Sequence, residues 1–380
     1  MNGVVMLVNE FAPIATGGAE RQAERLAVYL KNKSWPVWVV TRRVDGLPAH
    51  EQYRGLEIIR PLTIGFGKLK TITFVAGTML TLWKLRSKYS ILHAHLVFGP
   101  AFAAIVAARL LGKHVIVKLG NSGEFGDVET SRLTSRGRLR LAMLRKWADV
   151  FIALDDSIYA EILSFGVEPK RIRRIPNGID SENFAPIQTR QGAKREFNLL
   201  NKVVLIYVGR LAPQKSLPVL LEALHKSLPA CPKLHLLLIG DGQDRTALEV
   251  QANLFGIAEH VSFLGNQTDV RAYLNAADIF VLPSKAEGIS NALLEAMSAG
   301  LACVVTPVGG NVEILDSGRC GVLLPAGDVS AWSQSLTELG NDPEKCRALG
   351  DAAQKHVRSH FDFSVVGSLY ENLYNELLHK

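Results

Sequence analysis

Short runs rich in Val, Ile and Leu alternate with helix-length segments along the whole chain, and no other feature restricts its fold as tightly. The runs lie at 4–8, 37–41, 56–60, 91–95, 115–119 and 150–154, then at 203–208, 234–239, 261–264, 279–282, 302–306 and 321–324. Most are continuously apolar rather than alternating, as expected for parallel strands covered on both faces. Strand–helix–strand alternation of this kind predicts a doubly wound α/β fold. The two sets of runs are separated by a polar, irregular stretch, NFAPIQTRQG at 183–192. Two Rossmann-like parallel-sheet domains are therefore expected, 1–185 and 186–360, facing across a cleft at the carboxyl ends of both sheets, where such sheets bind ligands. The last residues, 361–380, read as one amphipathic helix with Val365, Leu369, Leu373 and Leu377 inward, packing back on the first domain.

Composition narrows the class. With 48% hydrophobic and 21% charged residues the chain is globular rather than disordered or fibrous. Its start, MNGVVMLVNEFAP, lacks a basic n-region and a small-residue cleavage site, so it reads as a buried first strand and not as a signal peptide. The longest apolar run, 71–83, is too short to span a bilayer. Cys231, Cys303, Cys320 and Cys346 are widely spaced, which predicts a reducing compartment such as the cytoplasm, no disulfides and no zinc. Charge is uneven. Residues 1–190 carry 27 Lys and Arg against 16 Asp and Glu, and residues 191–380 carry 16 against 20, so the halves are expected to meet different ligands.

The stretch KAEGISNALLEAMSAG at 285–300 holds two carboxylates, Glu287 and Glu295. It follows the 279–282 run and Pro283; Gly288 permits a tight turn, and Ser290 or Asn291 can cap a helix over 292–299. A helix that starts there offers N–H donors and a positive dipole end to a phosphate. A glycosidase pair needs carboxylates roughly 5–9.5 Å apart, and a turn plus part of a helix between them gives on the order of 10 Å. Two ligand clamps that accept hydrogen bonds from vicinal diols fit better. From these residues alone, a solvated helix glutamate and a capping acid fit equally well.

The stretch VVLIYVGRLAPQKS at 203–216 ends a strand in Gly209, then places Arg210 and, five residues on, Lys215. Strand-end cations at the mouth of a parallel sheet suit a diphosphate, Arg as a fork and Lys as a point charge; solvated loop charges are the plain alternative. The turn IGDGQ at 239–243 is not GxGxxG and gives a dinucleotide site little support.

Taken together these stretches resemble family 4 (GT4) retaining glycosyltransferases of the GT-B fold. The matching segments are YVGRLAPQKSLPVLLEAL, LLLIGDGQDRTAL, the long segment from VSFLGNQTDV through VVTPVGGNVEIL, and CGVLLPAGD. The first half adds NEFAPIATGGAER, ILHAH and RRIPNGID. Glu287 and Glu295 correspond to the family's E-x7-E motif. The resemblance implies a donor site in which Arg210 and Lys215 hold the diphosphate and stabilise the leaving group electrostatically. Glu287 contacts the transferred sugar, Gly288, Ile289, Ser290 and Asn291 approach the distal phosphate, and Glu295 holds the ribose. It places Gly265 by the nucleobase, has Gly17 and Gly18 close over the phosphates, and gives Gly209 to the strand end. It implies no metal and no cofactor; Asp155-Asp156 is not a DxD pair and reads as a helix cap. The implied donor is UDP- or GDP-linked and the acceptor a glycan or polyprenyl-linked glycolipid, in surface polysaccharide or glycolipid synthesis.

One departure stands out. Where many members carry a His after the fifth strand, this chain has Gly120-Asn121. Asn121 can donate and accept but carries no proton. His95, Asn121, Glu124 and Asp127 are the acceptor-side candidates; His95 reads equally well as a structural histidine. The basic stretch 132–147 mixes cations with Leu, Met and Trp; an anionic membrane surface and a solvated cationic face both suit it. Nucleic acid does not, because no aromatic platform accompanies the charge. Two other classes stay open: a nucleotide-sugar epimerase of the same fold, and a donor-binding subunit without activity.

Overall fold

The strands form where the apolar runs lie, and their burial explains why. The computed structural model describes residues 3–13, 17–97, 99–123 and 126–379. The chain folds as two units, Met1–Gly178 with Phe363–Lys380, and Ile179–Asp362.

In the first unit the strands are β1 (Gly3–Leu7), β2 (Val37–Val40), β3 (His50–Tyr53), β4 (Leu56–Ile59), β5 (Tyr89–His95), β6 (His114–Lys118), β7 (Val150–Ala153) and β8 (Ile172–Arg174). They make one sheet in the order β3-β4-β2-β1-β5-β6-β7-β8, parallel except for the β3–β4 pair. Its helices are α1 (Gly18–Asn32), α2 (Gly67–Leu85), α3 (Gly99–Leu111), α4 (Asp127–Arg132), α5 (Ser135–Trp147) and α6 (Asp156–Ser164). Asp155 caps α6 by accepting from the Ile158 N–H at 2.8 Å. The apolar runs do not mark β3 and β8. Both are edge strands, HEQY and IRR, largely polar and partly exposed, so they leave no such run.

The second unit holds β9 (Val203–Val208), β10 (Leu234–Ile239), β11 (Val261–Gly265), β12 (Ile279–Leu282), β13 (Ala302–Val305) and β14 (Val322–Leu323), in the order β11-β10-β9-β12-β13-β14. The ladders between these strands are parallel. Around them run α7 (Arg190–Glu196), α8 (Leu217–Ser227), α9 (Arg245–Leu254), α10 (Arg271–Ala276), α11 (Asn291–Ser298), α12 (Asn311–Ile314), α13 (Val329–Asn341) and α14 (Pro343–His360). The last helix, α15 (Phe363–Leu378), belongs to the first unit.

The chain thus changes units at 178/179 and at 362/363, and the irregular stretch 183–192 lies inside the second unit. Hydrogen bonds explain this placement. Gln22 holds both backbone groups of Gly178, at 2.7 and 3.0 Å. One residue later, the Ile179 N–H donates to Phe361 O at 2.8 Å, and Ser181 Oγ donates to Asp362 at 2.6 Å.

α15 seals one face of the first sheet beside α1. Phe363, Val366, Tyr370, Leu373, Tyr374 and Leu377 are buried in a core with Val4, Met6, Leu26 and Ile91. Val365 and Leu369, expected inward, are exposed. Tyrosines share the buried seam with Leu373 and Leu377: Trp35 meets Tyr374 edge-on at 5.7 Å, and Glu371 accepts from Tyr29 Oη and Trp35 Nε1. Gly367 lets α15 approach, since a Cβ there would stand 2.5 Å from the Tyr29 ring.

Candidate active site

The second sheet reverses its strand order between β9 and β12. Open α/β sheets take their ligands outside the carboxyl ends of the strands at such a point. The residues there are 209–216, after β9, and 283–290, after β12.

Backbone hydrogen bonds draw the neighbouring strand ends together. Gly209 N–H donates to Ile239 O at 2.9 Å, Leu211 N–H to Asp241 O at 2.9 Å, and Gly240 N–H to Gly265 O at 2.8 Å. Only glycine fits at 240, because a Cβ there would lie 1.9 Å from Gly209 O. Gly209 and Gly265 are thus joined through Gly240, which in sequence is only part of a weak turn motif.

After Gly209, Arg210 points an exposed side chain outward, and a 3-10 turn, Pro213–Lys215, leads into α8. Lys215 Nζ sits 2.5 Å from Glu287 Oε1. The same carboxylate oxygen accepts from Ser284 Oγ at 2.6 Å. The two loops are pinned together by Gln214 Nε2 on Ala286 O and by the Lys285 N–H on Gln214 O, both at 2.8 Å. A third loop closes on them: Gly310 N–H donates to Gly288 O at 2.9 Å, and Thr306 Oγ1 donates to Ser284 O at 2.6 Å. At Gly309, with φ 53°, a Cβ would lie 2.0 Å from Glu287 O, so the approach requires glycine. Tyr207 underlies the group. Burial, and then the charge of Glu287, raise its phenol well above the usual range, so it stays protonated and donates to Arg210 O at 2.9 Å.

Ser290 is the N-cap of α11, accepting from the Leu293 N–H. Asn291 is the first residue of that helix, and Gly288 and Ile289 lead into it buried. Glu295, in its second turn, is only 2% exposed. It is not a solvated glutamate, and the cap of α11 is Ser290 rather than Glu287. Lys215, Glu287 and the start of α11 therefore share one strand-end cluster, with Arg210 on the adjoining turn. Ser284, Tyr207 and Gly309 support it and do not stand out in the sequence; the glycine pair in TPVGGN is the one available signal.

The remaining candidates belong to the first unit, whose sheet reverses between β1 and β5. Gly17 is the N-cap of α1 and Gly18 its first residue. Of the two readings of His95, acceptor-side residue or structural histidine, its burial fits the second. It stacks on His93 at 4.4 Å, in a group with Lys118, Asn177, Tyr370 and Tyr374. Burial holds both imidazoles neutral, His93 down to about 3, and takes Lys118 down to about 7. Asp127, also expected to meet the acceptor, is buried and accepts from the Gly120 N–H at 2.6 Å, so it braces the 120–127 loop from within. Asn121 on that loop is exposed. Glu124 lies outside the described residues. In α5 Arg136, Arg138, Arg145 and Lys146 are exposed, with Arg138 donating to Arg132 O, and the half-buried Arg140 donates to Ser131 Oγ. Among the described residues no group of His, Cys, Asp or Glu is arranged to hold a metal ion.

Two sequence families cover most of the chain. The model of "Glycosyltransferase Family 4" matches residues 16–183, and that of "Glycosyl transferases group 1" matches residues 190–356. The chain belongs to the GT4-type glycosyltransferases. It is accordingly a glycosyltransferase, with two parallel-sheet domains of the GT-B type. Among its relatives, N-acetyl-alpha-D-glucosaminyl L-malate synthase of Bacillus anthracis is 28% identical over 77% of this chain and 76% of that protein. The UDP-Gal:alpha-D-GlcNAc-diphosphoundecaprenol alpha-1,3-galactosyltransferase of Escherichia coli is 29% identical over 70% of each. Among solved structures, Anabaena HepE in complex with UDP and glucose has a TM-score of 0.84 at 18% identity, covering 99% of this chain and 100% of that one.

Proposed function

We propose that this glycosyltransferase moves a sugar, with retention of configuration, from a nucleoside-diphosphate donor to a glycan or polyprenyl-linked glycolipid acceptor. The observation that carries the donor assignment is the Lys215–Glu287 pair at the strand-order reversal, beside the start of α11. An incoming diphosphate competes for the ammonium of Lys215 and gains the guanidinium of Arg210 and the dipole of α11. Glu287, released from Lys215, is then free to accept hydroxyls of the sugar. Negative charge that develops on the leaving phosphate is met by the same cations, which is electrostatic catalysis. Glu295 takes the ribose and Gly265 lies by the base. No metal is needed in this scheme.

A UDP-linked donor has the better support, from a relative named for UDP-Gal and from a structural neighbour that holds UDP and glucose. The same relative, named for a diphosphoundecaprenol substrate, supports a lipid-linked acceptor; an enzyme at the inner face of the cell membrane is the location we propose with it. Asn121, exposed on the loop that Asp127 braces, is the acceptor-side residue in this reading.

A thermal-shift screen of UDP-, GDP- and ADP-sugars tests the donor site, since a ligand bound only by the native state raises stability by about 4 kcal/mol at a thousand times its Kd. Lys215→Ala and Glu287→Ala are expected to abolish transfer with the fold retained. Wild-type turnover in either variant would refute the assignment. Isomerised donor without release of nucleoside diphosphate would convert the enzyme to an epimerase.

A further inference from the structure

We infer that helix α2 and the loop before it form a docking surface for an anionic lipid bilayer. Phe74, Thr78, Leu82 and Leu85 are the buried positions of α2, spaced as one face of a helix, and they turn inward. The opposite face is apolar as well. Leu69, Ile72, Ala76, Leu80 and Trp83 recur at three- and four-residue spacing and are all exposed. From Leu69 to Trp83 this stripe runs about 20 Å along the helix. The preceding loop extends it with Leu62, Ile64 and Phe66, the last 93% exposed at the N-cap of α2. A surface helix normally turns a polar face to water, and an apolar patch this continuous marks an interaction site.

The charge around it says what covers it. Residues 58–123 hold nine Lys and Arg and no Asp or Glu. Lys70, Lys84 and Lys88 are exposed along α2 and just beyond it, and the Arg86 guanidinium lies 4.2 Å over the Trp83 ring. A second copy of this chain would bring these cations against themselves, with no carboxylate in the segment to offset them. An anionic bilayer takes the apolar stripe into its acyl boundary and the lysines into its headgroups. Among the described residues no helix is long and apolar enough to cross a membrane, so α2 would lie in the interface plane. The inference deepens the proposed reading by saying where a lipid-linked acceptor is met.

The test is co-sedimentation of the full chain with phosphatidylcholine vesicles, with and without phosphatidylglycerol. Binding is expected to the anionic vesicles only and to weaken with salt, each cation contributing about fivefold. Lys70→Glu with Lys84→Glu should lower the partition at least tenfold, and so should Phe66→Asp with Ile72→Asp. Both variants alter exposed residues and should keep the wild-type unfolding temperature and the nucleotide-sugar thermal shift. That shift is read without lipid, so a failure of docking is distinguishable from a failure of the donor site. Equal binding to neutral vesicles, or double variants that bind like wild type, would overturn the inference. So would a wild-type dimer in sedimentation velocity that Phe66→Asp with Ile72→Asp dissociates, because a second copy would then cover the face.

Discussion

Lys118 is a buried ammonium group with no carboxylate paired to it among the described residues, and replacing it should make the protein more stable at neutral pH. Its Nζ donates to Asn177 Oδ1 at 3.0 Å and lies 5.7 Å from the centre of the Tyr370 ring, with neutral His93 and His95 nearby. Burial lowers its pKa from 10.5 to about 7. A base whose folded pKa is depressed binds fewer protons when folded, so its destabilising contribution is complete below the folded value and fades as pH rises toward the unfolded one. For a shift of this size the cost is about 4 kcal/mol at pH 7 and about 1 kcal/mol at pH 10. Lys118→Met keeps the aliphatic stem and removes the charge. It also removes the hydrogen bond to Asn177, about 1–3 kcal/mol. The variant is therefore expected to be more stable than wild type at pH 7 and slightly less stable at pH 10. Urea unfolding of both proteins at pH 7, 8.5 and 10 measures this, with hydrogen exchange of β5 and β6 amides reporting the first unit by itself, since a chain of two units need not unfold in one step. A stability difference that does not move with pH would refute the reasoning, because Lys118 would then titrate alike in both states.

Gly309→Ala should damage the donor site from outside it. A positive φ costs a Cβ-bearing residue about 1–2 kcal/mol, and the new methyl would collide with Glu287 O, so both the unfolding temperature and the nucleotide-sugar thermal shift should fall. Ser290→Ala removes the α11 cap and should cost about 1 kcal/mol in urea unfolding, with weaker donor binding measured by calorimetry. Glu371→Gln weakens the acceptor shared by Tyr29 and Trp35; chemical denaturation should show a loss of about 1–2 kcal/mol, and no loss would mean that this contact does not fasten α15.

Much of the architecture was legible because parallel strands are buried on both faces, which leaves unbroken apolar runs such as 203–208 and 234–239. β3 and β8 were not legible because edge strands need no such run. The polar stretch 183–192 is a misleading boundary because the change of unit is set by contacts remote in sequence, Gln22 with Gly178 and Ile179 with Phe361. In the candidate site the charged residues stood out by type and by their place after strands. Their supports did not: a serine, a tyrosine and two glycines have no distinctive spacing, and only the meeting of loops from β9, β10, β12 and β13 gives them a role. His95 and Asp127 are ambiguous for the opposite reason, since a chemically capable side chain near a strand end looks the same in sequence whether it faces solvent or core.

By itself, then, the sequence determined the strand–helix alternation, the cations after β9 and the two carboxylates flanking a helix start, because these rest on local periodicity and residue type. Only the tertiary structure decided that Lys215 and Glu287 are one ion pair, that Glu295 is buried, that His95 and Lys118 share a dry interior with the last helix, and that α2 is apolar on both faces. Each depends on which segments, tens to hundreds of residues apart, are brought within hydrogen-bonding or packing distance.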